Sequence, residues 1–259
     1  LNYLIAVLSS KCIISVLAVS SPLKEAVNLL ATIYFQGKEI AMMSPELSRI
    51  ISANQASLSS LEGDLLGTAG GRPVKAILVT SCRPQEGKTT SAATLAHSLA
   101  VTAGKKVLLV DAHLAAPKLH ELFGVSKAPG LTDFLLSRTG GKDPIQSTEI
   151  DRLKVMARGT SSDNPVEIFH ADGFAAKLET LRAQFDYIVF DAGSVMTSSD
   201  VALMARHFDG VVLVAECEKT KWEILDLAKE KITNVNGKIL GVVLNKRQYY
   251  IPAGLYGKI

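Results

Sequence analysis

Ser81-Cys82-Arg83-Pro84-Gln85-Glu86-Gly87-Lys88-Thr89-Thr90 joins an apolar run to a run with helical spacing, and its reading decides the fold. Upstream, Ala76-Ile77-Leu78-Val79-Thr80 is short and β-branched enough for a buried strand. Downstream, Ala92, Ala93, Leu95, Ala96, Leu99 and Ala100 recur at helical steps, as a half-buried helix requires. A strand feeding a tight loop into a helix N-terminus aims free main-chain N–H groups and the positive end of the helix dipole at one point. An anion fits there. Lys88 has the reach to meet terminal phosphates, and the Thr89 hydroxyl suits the Mg²⁺ that accompanies a nucleoside triphosphate.

The loop matches the Walker A pattern in part, because Cys82 stands where that pattern has its first glycine. Taken alone, Gly87-Lys88-Thr89 also admits a second reading, the start of an ordinary helix. Two later carboxylates weigh against that. Lys106-Val107-Leu108-Leu109-Val110 ends in Asp111, and Tyr187-Ile188-Val189-Phe190 ends in Asp191. Each acid sits at the carboxyl end of an expected parallel strand, the edge at which open α/β sheets bind ligands. Singly, an Asp after a strand more often serves a turn or a helix cap. Together with the loop, the pair is expected to hold Mg²⁺ and its water shell beside the phosphates.

With 259 residues the chain can bury one large core. A net charge of +3 with dispersed lysines and arginines forms no basic stripe, so nucleic acid is not implied as a partner. Cys12, Cys82 and Cys217 have neither metal-site nor disulfide spacing, which suits a reducing, cytoplasmic setting. Cys82 lies in an electropositive loop, where a lowered thiol pKa is one expectation and an inert small residue the other. The five histidines fall in unrelated contexts and read as core or surface residues rather than metal ligands.

Residues 1–73 read as an N-terminal helical or apolar segment with a linker, and residues 74–259 as an ATP-binding domain. Tyr3–Val19 is nearly long enough to span a membrane, but Lys11 at its middle is costly there, so a packed apolar helix is the main expectation. Residues 22–62 look helical, with starts at Pro22 and at Ser44-Pro45-Glu46; Gly67 to Pro73 then reads as a linker. From Val74 onward strands and helices alternate, which predicts a twisted, mostly parallel sheet with helices on both faces, an α/β fold. Further strands are expected at 210–214 and 238–244, and helices at 131–138, 164–170, 174–184 and 221–235.

These motifs, in this order, resemble the cytoplasmic ATPase domain of the bacterial tyrosine kinases that control capsule and exopolysaccharide export, a P-loop NTPase fold. The similarity covers roughly Glu46 to the C-terminus. It rests on Val79-Thr80-Ser81 with Pro84 and Gly87-Lys88-Thr89-Thr90, on Val107–Ala112 followed by Pro117–Gly124, and on Pro129–Asp133, Asn164–Glu167 and Asp186–Asp191. The resemblance implies that ATP and Mg²⁺ bind at Arg83, Pro84, Gln85, Glu86, Gly87, Lys88, Thr89 and Thr90. It gives the metal to Thr89, Asp111 and Asp191, and catalysis to Lys88, Asp111 and Asp191. Asp111 is placed to accept the tyrosine proton, and Asn245 is similar to an asparagine that contacts the nucleotide base. It further implies tyrosine phosphorylation between neighbouring copies in a homo-oligomer at the inner face of the plasma membrane. The expected partner is a membrane chain-length regulator, or polysaccharide co-polymerase, supplied separately or by a portion preceding Leu1.

The chain departs from that family in several places. His113 and Ala115 replace a second aspartate and an arginine, Ser52 replaces an arginine of the subunit-contact helix, and Ala192-Gly193-Ser194 follows the Walker B strand. Imidazole is a poor ligand for a hard ion. The C-terminal tyrosines number three, Tyr249, Tyr250 and Tyr256, and serve as phosphoacceptors or as packing. Two alternatives therefore stand beside the kinase: a nucleotide-binding regulatory module with degenerate activity, and a partitioning or division-site ATPase. The latter carries a signature lysine where this chain has Arg83.

Overall fold

A computed structural model describes residues 4–8, 16–18, 74–160, 168–169 and 173–246 of the chain. Among them, nine strands form one sheet: β1 (Leu4–Leu8), β2 (Val16–Ala18), β3 (Ala76–Ser81), β4 (Val107–Ala112), β5 (Gln146–Ser147), β6 (Leu153–Met156), β7 (Tyr187–Ser194), β8 (Gly210–Glu216) and β9 (Ile239–Asn245). The order across the sheet is β2-β1-β9-β8-β3-β7-β4-β6-β5. Seven strands run parallel, and an antiparallel strand closes each edge. β3 lies in the middle with β8 and β7 as its neighbours, so the chain must cross over to reach β4. The loop after β3 therefore opens at the central carboxyl edge of the sheet.

Strand alternation sorts the core into two faces. Ile77, Val79, Leu109 and Val189 face α1 (Lys88–Val101) and α2 (Leu119–Phe123). Ala76, Leu78, Leu108, Val110, Ile188 and Phe190 face α3 (Leu131–Leu135), α4 (Gly173–Arg182), α5 (Ser199–Ala205) and α6 (Trp222–Thr233). On that second face Phe174 meets Phe169 and Phe190 edge-on, with centroids 5.6 and 6.4 Å apart. α1 is buried almost all round, from Ser91 to Ala100, which is why small residues fill it. Two of its hydroxyls bond within the helix, Ser91 donating to Gly87 at 2.9 Å and Thr94 to Thr90 at 2.7 Å, whereas the buried Ser98 hydroxyl has no partner among the described residues.

The largest correction concerns the first 20 residues. Leu4–Leu8 and Val16–Ala18 are strands, β1 pairing in parallel with β9 and β2 pairing antiparallel with β1, where a packed helix was expected. A short apolar run fits a sheet position as well as a helix, and period alone does not separate the two. No helix among the described residues is long and apolar enough to cross a membrane. β5, β6 and α5 were not anticipated, and β7 runs four residues past Phe190, to Ser194. The expected helices at 22–62, the linker, most of the 164–170 helix and the C-terminal tyrosines lie outside the described residues.

Candidate nucleotide site

The loop after β3 is built from its own main chain. Gln85 and Gly87 take positive φ, +65° and +94°, and Gly87 caps α1 without any side-chain hydrogen bond. No acidic residue occupies the first turn of α1, so the N–H groups and the dipole there remain available to an anion. A Cβ on Gly87 would come within 1.9 Å of Asn245 Nδ2, so the glycine is required by space as well as by φ. Lys88 is 7% exposed.

Three residues hold the loop from behind. Glu86, buried, accepts from the Arg83 N–H at 2.8 Å and the Thr220 hydroxyl at 2.5 Å. Asn245 Nδ2 donates to the Glu86 carbonyl at 2.8 Å, while its Oδ1 accepts from the Lys246 N–H. Lys246 Nζ donates to the Gln85 carbonyl at 2.7 Å and to Glu216 at 3.1 Å. Glu86 and Asn245, expected to contact the nucleotide, have side chains that brace the loop. Arg83 is exposed and reaches Glu86 through its main chain.

A pocket of about 770 Å³ opens in front of the loop. Pro84, Gln85, Gly87, Lys88, Thr89 and Thr90 form one wall; His113, Ala115, Ala116, Lys118 and Leu122, with Ser194, Thr197 and Ser198, form the other. The second wall was only partly legible, since His113 and Ala115 were noticed as departures rather than as lining.

Asp111 and Asp191 stand in register on β4 and β7, and share strand parity with Leu109 and Val189 on the α1 face. Their surroundings differ. Asp111 accepts from the N–H groups of His113 at 3.2 Å, Lys118 at 2.9 Å and Leu119 at 3.0 Å, so its carboxylate ties down both ends of the loop that forms the second wall. Burial still pushes its pKa up to about 6, outweighing those donors. Asp111, expected to take the tyrosine proton, is a fully buried carboxylate engaged by main chain and absent from the pocket wall.

Asp191 is 1% exposed, and neither carboxylate oxygen has a hydrogen-bond partner of ordinary geometry among the described residues. Burial, with the Asp111 charge second, pushes its pKa up to about 7; Lys88 and the Thr89 hydroxyl pull the other way. A buried carboxylate with two orphaned oxygens beside a lysine and a threonine is what a hydrated Mg²⁺ would satisfy, since this ion keeps several waters and needs few protein donors. No cluster of three or more metal-type side chains is found among the described residues.

His113 is half-buried, and burial, with Lys88 and then Lys118 adding to it, pushes its pKa down to about 4. Cys82 overturns the expectation of a lowered thiol pKa: it is fully buried, and burial with Glu86 pushes it up to about 12, with Arg83 a lesser opposing influence.

The family model described as "ParA: NUBPL iron-transfer P-loop NTPase" matches residues 73–255. The tyrosine-protein kinase YwqD of Bacillus subtilis is 31% identical over 224 residues, which cover 86% of this chain and 92% of the relative. The tyrosine-protein kinase CpsD of Streptococcus pneumoniae is 33% identical over 189 residues, 72% of this chain and 83% of the relative. Among solved structures, the chimerical protein CapA2B2 superposes with a TM-score of 0.70 at 32% identity, over 74% of this chain and 84% of that one. With its central phosphate-type loop and its parallel sheet, the chain belongs to the bacterial tyrosine-protein kinase family and carries the ParA-type P-loop NTPase domain.

Proposed function

We propose that this chain is an MgATP-dependent protein-tyrosine kinase that phosphorylates neighbouring copies of itself and regulates capsular or exopolysaccharide export. One observation carries the reading. The orphaned carboxylate of Asp191 lies with Lys88 and Thr89 at the foot of an uncapped helix N-terminus. A magnesium ion held by Thr89 and Asp191 would neutralise charge on the bridging phosphates.

The chain's own residues do the remainder. The N–H groups at the start of α1 and the Lys88 ammonium bind and orient the phosphates. Phosphoryl transfer passes through a loose transition state, so positioning and charge matter more than early removal of the acceptor proton. The enclosure of Asp111 is compatible with that chemistry. Its role is to fix the wall against which the acceptor lies. By resemblance, a membrane chain-length co-polymerase is the partner and the inner face of the plasma membrane the location.

His113 and Ala115 on the pocket wall favour a second reading, a regulatory module that binds nucleotide but transfers phosphate poorly. Incubation with γ-labelled ATP and Mg²⁺, beside Lys88→Ala, separates them. The kinase reading expects phosphotyrosine in the wild type only. Bound nucleotide without label, even with a co-polymerase tail supplied, would replace it with the second.

A further inference from the structure

The pocket wall carries two ammonium groups and no carboxylate. Lys88 comes from the loop side and Lys118 from the opposite wall, and Lys118 makes no ion pair among the described residues. Among those residues Lys118 has no counter-charge and Lys88 only the buried Asp191 behind it, so the concave site focuses a positive potential into the pocket, which an anion balances. Both also act on the same imidazole, His113, which places them around a common space.

Lys118 is exposed, but its root is fixed. Its N–H is one of three held by the fully buried Asp111 carboxylate, at 2.9 Å. Arg158 Nη1 adds a further restraint by donating to the Leu114 carbonyl of the same loop at 3.0 Å. A long side chain on a pinned main chain loses less freedom on meeting a ligand than one on a loose loop. Ala115 and Ala116 beside it present only methyl groups to the pocket, so this wall has no competing donor side chain of comparable reach.

Resting on the kinase reading, we infer that Lys118 is a second catalytic cation, one that meets the transferring phosphoryl group from the wall facing Lys88. In the transfer, the tyrosine oxygen bonds to the γ-phosphorus, the bond from that phosphorus to the ADP oxygen breaks, and the phenolic proton passes to solvent. Lys118 neutralises charge on the moving group and Lys88 charge on the part left behind.

The test uses MgADP, alone and with aluminium fluoride, the second mixture mimicking the group in flight. Calorimetry on the full chain compares wild type, Lys118→Ala and Lys118→Arg. The alanine variant is expected to bind MgADP within about twofold of wild type but to lose about ten- to a hundredfold in affinity for the fluoride complex, with arginine restoring most of it. Equal trapping by Lys118→Ala and wild type overturns the inference. So does an equal loss with MgADP alone, which would make Lys118 a ground-state contact, or the absence of any trapped complex in the wild type. The kinase reading fails separately, by trapping in the wild type without phosphotyrosine, and in that case the comparison of variants still decides the part played by Lys118.

Discussion

Asp191→Asn should make the nucleotide-free protein more stable, increasingly so as pH rises. In the folded chain burial, with the Asp111 charge second, pushes the carboxyl up to about 7 from its ordinary 3.8. Below both values the group is protonated in the folded and unfolded states, and the aspartate costs nothing relative to asparagine. Above both it is ionised in each state, and the full cost of an unpartnered buried charge is present. At about 1.4 kcal/mol per tenfold in the protonation equilibrium, the penalty grows from almost nothing near pH 4 to a few kcal/mol near pH 8. Urea unfolding of both proteins in chelator, at several pH values, reads the difference directly. Magnesium and nucleotide should then narrow the gap by stabilising the wild type preferentially. A gap that stays flat with pH, or an asparagine variant less stable near pH 8, would refute the reasoning.

Other expectations follow from the same contacts. Asn245→Ala should cost about 1 kcal/mol in stability and weaken nucleotide binding through the loop. It should leave the preference between ATP and GTP unchanged in competition binding, whereas a base contact would shift that preference. His97, 2% exposed in α1 with both ring nitrogens unpartnered, is pushed by burial from 6.5 down to about 4. Its neutral form is favoured in the fold, so stability should fall by up to about 3 kcal/mol as pH drops from 6.5 through 4, and His97→Leu should remove that slope in denaturant titrations. Cys82 should resist alkylation in the native protein and become labelled only on unfolding, as peptide mapping after iodoacetamide would show. Phe174→Ala should cost about 3–5 kcal/mol by opening the aromatic cluster, measured as a lowered urea midpoint.

The central motifs could be read because each has a local signature. A β-branched run, a glycine before lysine and threonine, and small residues at helical spacing specify β3, the loop and α1 almost without tertiary help. What stayed hidden depends on long-range partners. Asp111 and Asp191 look alike in sequence, each closing an apolar run. Only the fold shows that one is engaged by the main chain of residues 113–119 while the other is left open. Asn245 likewise follows a strand as a ligand-facing residue does, yet the close approach of Gly87 turns its amide toward Glu86. β5 and β6 are short and partly polar, and β1 and β2 share a run whose apolarity serves helix or strand equally.

The way Asp111 holds its loop bears on how such a chain can change over generations. The carboxylate grips peptide nitrogens, which every residue except proline provides, and asks nothing of the side chains at positions 113 to 116. Positions 113 and 115 can therefore exchange acid for imidazole, or arginine for alanine, while the loop keeps its path and Leu114 stays packed on the core. Mutational drift at the mouth is uncoupled from folding, so new acceptor preferences can arise there without first being tolerated as defects.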